Sequence, residues 1–399
     1  RMTSQKVLVL TSTFPRWEED TEPAFIETLS LLLSTNHKIH VLAPHTKNSS
    51  LLEKKEGLTI HRFRYAPEKW QKLAYEGGIS SKLLSNKLYA LLVPLFILGE
   101  LIAAIKLQRR HHFDIIHAHW IIPQGFAAVL VKILTLSRKP QVIVTSHGGD
   151  LYSLQNKFLI KLKKWIMNSS DHITVVSQAM REYCRELGVN KNKISVYPMG
   201  VDLIELFTPP SPSDERKGLI FVGRLVEKKG VQSLLYALKL IEDDSLQLEI
   251  IGDGPLKKHL EKLTKTLNLE KQVTFLGALQ NSLIPKKLRK AAIAIVPSII
   301  ESNGDQEGLG LTIIEALGCE CAVIASELPA IKDIITHNKN GYLVTPNNPL
   351  ELAEHINDLL QTPSKRLNLG KKGRAYCLEK FSWDICANNY HNLYANFEK

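Results

Sequence analysis

The stretch from Pro297 to Ser326 reads PSIIESNGDQEGLGLTIIEALGCECAVIAS, and it decides how the rest of the sequence is interpreted. Its pattern predicts the end of an apolar strand, a polar loop, a turn between glycines, a short helix and another strand. Glu307 stands at the turn, and Glu315 follows eight residues later. Because eight residues make about two helical turns, we expect both carboxylates on roughly one side.

A helix that begins near Gly310 presents free N–H groups, which favour an anionic group such as phosphate. Gly308 and Gly310 also let the backbone approach a ligand closely. Two interpretations stay open on spacing alone. The stretch is either an amide cradle for phosphate between two acceptors of sugar hydroxyl groups, or a tight loop–helix connection with two solvated acids.

The length and composition predict a two-domain globular protein. A chain of 399 residues is too long for one ordinary hydrophobic core, and its 44% hydrophobic and 23% charged residues are typical of globular proteins. Its five cysteines have no Cys-x-x-Cys spacing, so we expect free thiols in a reducing, cytosolic compartment. No signal-peptide pattern precedes the first apolar strand, which agrees with that expectation.

The positive charge lies almost entirely in the first half. Residues 1–210 hold 27 Lys+Arg and 17 Asp+Glu, a net charge of +10 out of the total of +11. A basic first domain favours an anionic partner such as a membrane surface or lipid phosphate, although a generally basic proteome would give the same charge. Because no recognisable nucleic-acid-binding module occurs, we expect no nucleic-acid partner.

Both halves alternate short apolar runs with amphipathic segments, which is the pattern of parallel sheets covered by helices. The first half opens with a strand at 6–10 and a helix at 24–34, and the second opens with a strand at 219–222. A proline-rich linker at 208–213 separates them. We therefore predict an α/β fold of two doubly wound domains facing across a cleft that binds ligands. The predicted boundaries are 1–207, 208–380, and a C-terminal helix at 381–399 that packs back on the first domain.

Two apolar segments of the first half raise the question of a membrane. The run from Leu88 to Ile105 is about long enough to cross a bilayer, but Pro94 and Glu100 interrupt it. We expect a buried helix, or one lying against a membrane, rather than a span. The basic amphipathic segment 157–168 suits either a membrane interface or a solvated helix with a core-facing stripe.

Several motifs keep a common order and spacing along most of the chain. EGLGLTIIEAL contains the pair Glu307 and Glu315 as E-x7-E, and FVGRLVEKKG at 221–230 contains GRL-x-x-x-KG. The others are IGDGP at 251–255, V-x-FLG at 273–277, T-x-HG-x-D at 145–150 and GVD at 200–202. Together they resemble the retaining GT-B glycosyltransferases of family 4 (glycosyl transferases group 1), of the type that assembles polysaccharides or lipid-linked glycans.

This resemblance implies two Rossmann-like domains, the first binding the acceptor and the second binding the nucleotide sugar. Arg224 and Lys229 would neutralise the donor diphosphate. Glu315 would bind both ribose hydroxyl groups, and Glu307 would face the donor sugar as a catalytic residue. The other donor-binding candidates are Gly223, Gly277, Gly308, Leu309, Gly310 and Leu311.

In the first domain, the resemblance makes His147 the second catalytic candidate, because it would contact the transferred sugar. Gly148 and Gly149 would permit that close approach, and Asp150 and Trp17 are further acceptor-side candidates. The alternative interpretation of His147 is a capping histidine at a strand end.

The implied reaction is sugar transfer with retention, in which the leaving phosphate itself accepts the proton of the acceptor. A double displacement with Glu307 as nucleophile is the alternative. The sequence has no D-x-D triplet, so we expect protein cations and the helix start at Gly310 to replace a metal, with no essential metal or other cofactor. His117 and His119 are spaced like strand residues that face one way, and we interpret both as structural rather than as metal ligands.

The expected donor is a UDP-sugar rather than a GDP-sugar, and the expected acceptor is a lipid-linked or membrane-associated glycan. The enzyme would then be peripheral on the cytoplasmic face of a membrane. The extra residues 301–306 before Glu307 are expected to shape donor choice. Two alternatives differ in class: a nucleotide-sugar 2-epimerase, which needs no acceptor, and a non-catalytic sugar-nucleotide-binding subunit.

Overall fold

The computed structural model describes residues 4–18, 20 and 22–397, with the backbone alone at 81 and 84. The extreme ends of the predicted domain ranges, 1–3 and 398–399, lie outside the described residues. The chain divides into two compact units. The first unit runs through Pro198 and takes up the chain again from Cys386, and the second unit is Met199–Ile385.

The first unit is an eight-stranded sheet with its connecting helices. Its strands are β1 (Lys6–Leu10), β2 (Lys38–Pro44), β3 (Leu52–Lys55), β4 (Leu58–Phe63), β5 (Ile115–His119), β6 (Gln141–Ser146), β7 (His172–Val175) and β8 (Ile194–Val196). Its helices are α1 (Phe25–Ser34), α2 (Gly78–Ser85), α3 (Leu92–His111), α4 (Phe126–Leu134), α5 (Gly149–Tyr152), α6 (Lys157–Ser169) and α7 (Gln178–Glu186).

The strand order β3-β4-β2-β1-β5-β6-β7-β8 explains where this unit can bind a ligand. All neighbours are parallel except β3, which pairs antiparallel with β4 at the edge. The order reverses between β1 and β5, and the loops that leave these two strands therefore diverge. In sheets of this kind, such a switch point opens a crevice at the carboxyl ends of the strands.

The second unit is a six-stranded sheet, parallel throughout. Its strands are β9 (Leu219–Val222), β10 (Leu248–Ile251), β11 (Val273–Gly277), β12 (Ile293–Val296), β13 (Ala322–Ser326) and β14 (Tyr342–Val344). Its helices are α8 (Val231–Leu240), α9 (Lys257–Thr266), α10 (Ile284–Lys290), α11 (Leu311–Gly318), α12 (Pro349–Gln361), α13 (Pro363–Lys380) and the start of α14 (Trp383–Ala395).

The order β11-β10-β9-β12-β13-β14 has its switch point between β9 and β12. The core beneath it is formed by aliphatic side chains such as Leu234, Leu248 and Ile293, all of them completely buried. Burial of both faces explains why these strands appear in the sequence as continuous apolar runs rather than as alternating patterns. The fold thus directs the loop after β9 and the loop after β12 to the same edge of the sheet.

Helix α3 has one buried face and one exposed apolar face. Phe96, Glu100, Ala104 and Gln108 are its buried residues, spaced four apart. The segment Lys87–His111 is long and apolar enough to cross a membrane by length and composition alone, yet only 17% of its most apolar window is buried. Of the expected buried helix, or one lying against a membrane, the structure shows a helix that is buried along a single narrow stripe.

Candidate active site

The two loops at the switch point of the second sheet meet through an ion pair. Lys229 ends a short turn after β9, and its Nζ lies 2.6 Å from Oε1 of Glu307 in the loop after β12. Gly230 follows with a φ of 66°, and a Cβ there would lie 1.8 Å from the carbonyl oxygen of Pro297. Only glycine therefore allows the turn to sit against the end of β12, which places Lys229 beside Glu307.

Glu307 is a buried carboxylate that remains charged. Its exposed fraction is 7%, and it accepts a hydrogen bond of 3.2 Å from Oγ of Ser298 in addition to the ion pair. Burial alone would raise the pKa of Glu307, but the charges of Lys229 and Lys228 outweigh burial and lower the pKa below its usual value. A carboxylate that is charged at neutral pH can hold a hydroxyl group or a cationic centre at this place, and it is not suited to donate a proton.

Glu315 lies on α11, and its pKa is shifted in the opposite direction to that of Glu307. Burial raises the pKa of Glu315 to about 7, and the charge of Lys229 opposes that shift. Lys229 therefore acts on both carboxylates of the E-x7-E pair. As predicted, Glu307 precedes the helix and Glu315 lies on it, because α11 begins at Leu311; Glu315 is less far into the helix than the two turns expected. Glu315 is the fifth residue of the helix, just past its first turn.

The start of α11 is the predicted anion cradle. Gly310 is its N-cap residue, with a φ of 97° that favours glycine. Because glycine has no side chain, Gly310 makes no side-chain hydrogen bond to the first N–H groups of the helix. Gly308, Leu309 and Gly310 are buried, and Leu311 opens the helix as a partly exposed residue. The helix therefore begins where predicted, with its first N–H groups directed away from the helix body.

Gly223, Arg224 and Gly277 lie at the carboxyl ends of β9 and β11, which flank β10 in the same sheet. Gly223 follows β9 directly, and its N–H donates to the carbonyl of Ile251 at 3.0 Å. Gly277 closes β11, and its carbonyl accepts from the N–H of Gly252 at 2.8 Å. Arg224 is partly buried in the loop that contains Lys229. The structure thus brings all the donor-binding candidates to one edge of the second unit.

The extra residues before Glu307 are fastened to the turn after β9. The backbone N–H of Lys228 donates to Oε1 of Glu301 at 2.9 Å, and the Nζ of Lys228 lies 3.2 Å from Asp305. The N–H of Ile299 also donates to the carbonyl of Lys228 at 2.8 Å. These three contacts, which the sequence did not reveal, hold the 301–306 loop against the turn that contains Lys229.

In the first unit, His147 lies in an aromatic pocket after β6. Its ring centroid is 5.1 Å from that of Phe25 and 5.0 Å from that of Trp120. Its Nε2 is 3.0 Å from Nδ1 of His119. Burial lowers the pKa of His147 to about 3, so the imidazole is neutral at physiological pH. His147 is therefore suited to hydrogen bonding rather than to charge stabilisation.

The other first-unit candidates have different surroundings. Asp150 accepts hydrogen bonds from Oγ of Ser146 at 2.8 Å and from the N–H of Ile121 at 2.7 Å. Asp150 thus ties the turn that carries His147 to Ile121, which follows β5. Gly148 has a φ of 112°, and a Cβ on Gly149 would meet open space. Trp17 lies after β1, where the guanidinium group of Arg16 stacks on its ring at 4.3 Å.

His117 and His119 do face one way, as their spacing predicts. Their rings stack at 4.4 Å, and both side chains are buried. His117 is 2.7 Å from the hydroxyl of Tyr394 and 2.6 Å from Oγ1 of Thr145. His117 therefore belongs to the internal hydrogen-bond network, whereas His119 contacts His147 directly. The sequence interpretation missed this contact between His119 and His147. It could have been predicted, because His119 ends β5 and His147 directly follows β6.

Comparison with known sequences gives the class of protein that the sequence motifs resemble, the glycosyltransferases. The sequence profile of Glycosyltransferase Family 4 matches residues 25–205, and that of Glycosyl transferases group 1 matches residues 205–376. An uncharacterized glycosyltransferase of Methanocaldococcus jannaschii is 32% identical over 284 residues, which are 70% of this chain and 75% of that relative. A GDP-mannose-dependent monoacylated alpha-(1-6)-phosphatidylinositol monomannoside mannosyltransferase of Corynebacterium glutamicum is 30% identical and covers 63% of this chain and 69% of its own length.

Solved structures share the fold. Sucrose-phosphate synthase of Thermosynechococcus elongatus superposes with a TM-score of 0.81 at 22% identity and covers 98% of each chain. The Anabaena protein HepE, in complex with UDP and glucose, has a TM-score of 0.74 at 19% identity, covering 98% of this chain and 100% of its own. The fold is therefore the two-domain GT-B fold of nucleotide-sugar enzymes. The chain belongs to the family 4 (group 1) glycosyltransferases.

Proposed function

We propose that the protein transfers a sugar from a nucleoside-diphosphate sugar, with retention of anomeric configuration, to a lipid-linked or membrane-associated glycan. The observation that carries the proposal is the position of Lys229, which pairs with Glu307 and acts on Glu315 at the start of α11. A cation that acts on two carboxylates, at the loop that leads into a helix, suits a diphosphate that has a sugar on one side and a nucleoside on the other.

Donor binding would replace Glu307 as the ion-pair partner of Lys229. The diphosphate takes the place of Glu307 at the ammonium group, and Arg224 and the N–H groups of α11 add further positive potential. Glu315 accepts hydrogen bonds from the ribose hydroxyl groups. Since the pKa of Glu315 in the free protein is about 7, hydroxyl donors from the ribose favour its charged form at neutral pH.

The reaction then occurs on one face of the sugar. The bond between the anomeric carbon and the phosphate oxygen breaks, the acceptor oxygen bonds to the same face, and the acceptor's proton passes to the leaving phosphate. Lys229 and Arg224 stabilise the charge that develops on the diphosphate, so we propose that the transfer has no essential metal. The charged Glu307 positions the sugar, and the neutral His147 acts as a hydrogen-bonding group.

We infer a UDP-sugar as the first donor to test. The solved structures of HepE contain UDP or UDP-glucose, which supports this choice at the level of the shared fold. The Corynebacterium glutamicum relative and one from Mycobacterium tuberculosis are described as GDP-mannose-dependent, and GDP-mannose is therefore the alternative.

The exposed face of α3 and of the turn before it supports the proposed acceptor class. Five large apolar residues, each at least 44% exposed, recur at intervals of three or four: Leu88, Leu91, Leu95, Leu98 and Ile102. The exposed Lys106, Arg109 and Arg110 lie at the end of the same helix. An apolar stripe beside basic residues is the pattern of a helix that lies in the interface of an anionic membrane.

A transmembrane orientation of α3 conflicts with the fold. The helix connects β4 to β5, and both strands belong to the same sheet. A span would put these strands on opposite sides of the bilayer, so we propose a peripheral position on the cytoplasmic face, where anionic lipids attract basic segments.

The test is a donor and acceptor screen with the purified full chain. UDP-sugars and GDP-mannose are each incubated with membrane glycolipids, and the anomeric configuration of the product is read by NMR. We expect acceptor-dependent transfer with retention, and loss of transfer in Glu307→Gln but not in the surface control Glu249→Gln. An inverted product contradicts the retaining mechanism, and an isomerised sugar nucleotide formed without acceptor indicates an epimerase instead.

A further inference from the structure

Three histidine side chains come together on one face of the first sheet, away from the strand ends that carry His147. His40 lies on β2, His61 lies on β4, and His111 is the last residue of α3. The parallel register pairs His40 with Thr59 and Leu42 with His61. The two strand histidines are therefore diagonal neighbours on one face of the sheet, and the end of α3 brings the third beside them.

The geometry of the three rings suits a shared ligand. Nδ1 of His40 is 3.0 Å from Nε2 of His61, and one ring nitrogen of each histidine lies within 4.8 Å of the others. The ring of His111 is 4.7 Å from that of His40 and 6.2 Å from that of His61. Tetrahedral zinc with Zn–N bonds of about 2.0–2.1 Å needs nitrogens about 3.4 Å apart, which small side-chain rotations achieve here.

We propose that His40, His61 and His111 form a binding site for one divalent transition-metal ion of the Zn²⁺ type. Three imidazoles favour zinc, nickel or copper over magnesium and calcium, which prefer oxygen ligands. All three side chains are only partly buried, so water reaches the remaining coordination position. Phe113 packs edge-on against His40 at 5.2 Å and closes one side of the group.

The protonation and charge around the group set its affinity. Burial, followed by the neighbouring His111, lowers the pKa of His40 and of His61 to about 4. Burial also lowers the pKa of His111. Lys6 faces His40 and His111, and Arg110 faces His61 and His111, but both cations are exposed, so solvent and salt screen their repulsion of the ion.

The bound ion would act as a clip within the first unit. It would connect β2, β4 and the end of α3, whose buried residues form one narrow stripe. The clip would fix the end of the helix whose other face is exposed and apolar. This site is separate from the candidate donor site, which belongs to the second unit, and it has no part in the sugar transfer.

The test measures Zn²⁺ binding by the full chain after chelator treatment. Equilibrium dialysis with metal analysis is expected to give one Zn²⁺ per chain. His61→Gln and His111→Gln are each expected to weaken binding by at least about tenfold, because each removes a direct ligand. His259→Gln, a change at an exposed histidine of the second unit, is the matched control and keeps full affinity. Absence of binding, or equal affinity in all variants, overturns the proposal.

Two further measurements distinguish this site from a thiolate site and a lost ligand from a lost fold. Co²⁺ replaces Zn²⁺ and reports its ligands, and we expect a visible spectrum without the sulfur charge-transfer band that binding at Cys319 and Cys321 would produce. Zn²⁺ is also expected to raise the Tm of the wild type and of His259→Gln, but not of His61→Gln. Because the metal-free Tm of each variant is measured first, a loss of folding is distinguished from a loss of ligand. A thiolate band, or an equal Tm increase in His61→Gln, contradicts the proposal.

Discussion

At the scale of single residues, Lys229 is the side chain on which the candidate donor site depends. Its ammonium group is paired with Glu307 and also opposes the rise that burial causes in the pKa of Glu315. We expect Lys229→Ala to reduce kcat/KM by about 100- to 1,000-fold, because charge on the leaving diphosphate loses its nearest cation. Steady-state kinetics with the donor found in the screen measure this loss.

The control for that prediction is another lysine in a similar pair. Lys287 lies 2.8 Å from Glu249, and both side chains are about one third exposed. Lys287→Ala is expected to leave kcat/KM within about twofold of the wild type, since an exposed pair contributes little. A comparable loss in both variants would show that Lys229 has no special role.

The second residue-scale prediction concerns Glu315 and pH in the absence of donor. Because burial raises its pKa from 4.5 to about 7, the folded protein binds the proton more tightly than the unfolded chain does. The stabilisation is fully present below about pH 4.5 and is lost as pH rises through 7. Relative to Glu315→Gln, the wild type should lose at most about 3 kcal/mol of unfolding free energy across this range.

Denaturant titrations of both proteins at several pH values between 4.5 and 8 measure this difference. The variant matters because other groups also titrate in this range, and only the part of the slope that Glu315→Gln removes belongs to Glu315. Parallel pH profiles of the two proteins would contradict the raised pKa.

At the scale of elements, the exposed stripe of α3 gives the next prediction. Leu95 and Leu98 are 47% and 52% exposed, respectively, and face away from the buried stripe. The double variant Leu95→Glu/Leu98→Glu is expected to weaken binding to anionic vesicles by at least about tenfold. It replaces apolar side chains that would enter the membrane by negative charges that anionic lipids repel. Cosedimentation with vesicles measures the binding.

A matched control for that variant comes from the second unit. Leu350 is 60% exposed at the start of α12, so Leu350→Glu changes an equally accessible leucine away from α3. It should bind vesicles like the wild type and unfold at a similar temperature. If both variants lose the same affinity, the effect is general electrostatic repulsion and α3 is not the contact.

Also at this scale, the sequence predicted elements better than it predicted contacts. Strands β1 and β9 were predicted with the bounds that the structure shows, because buried parallel strands appear as continuous apolar runs. The start of α11 was predictable from Gly310. The contact of Lys228 with Glu301, by contrast, depends on how two loops pack, and no local pattern contains that information.

The candidate site was predictable in its residues but not in its geometry. Glu307 and Glu315 were selected by their eight-residue spacing and by the E-x7-E resemblance, whereas the position of Lys229, whose charge acts on both carboxylates, appears only in the structure. His40, His61 and His111 were not selected at all, because their proximity depends on the register of β2 with β4 and on where α3 ends. Registers of non-consecutive elements are set by the whole sheet.

At the scale of the whole molecule, the two units do not follow the order of the chain. Helix α14 begins in the second unit, and from Cys386 onward the chain belongs to the first. Tyr390 and Tyr394 are completely buried there. The hydroxyl of Tyr390 lies 2.9 Å from Oγ1 of Thr174 on β7. The segment that begins at Cys386 therefore packs in the core of the first unit.

This arrangement predicts that a change near the C-terminus destabilises the first unit. We expect Tyr390→Ala to cost about 3–5 kcal/mol of unfolding free energy, because it empties a large buried volume and removes a hydrogen bond of Thr174. Tyr236→Ala is the matched control, since Tyr236 is 39% exposed, and it should cost less than about 1 kcal/mol. Hydrogen exchange should show the loss of protection in β6 and β7 and leave β9–β12 protected; a loss confined to the second unit would contradict the assignment of the C-terminal segment.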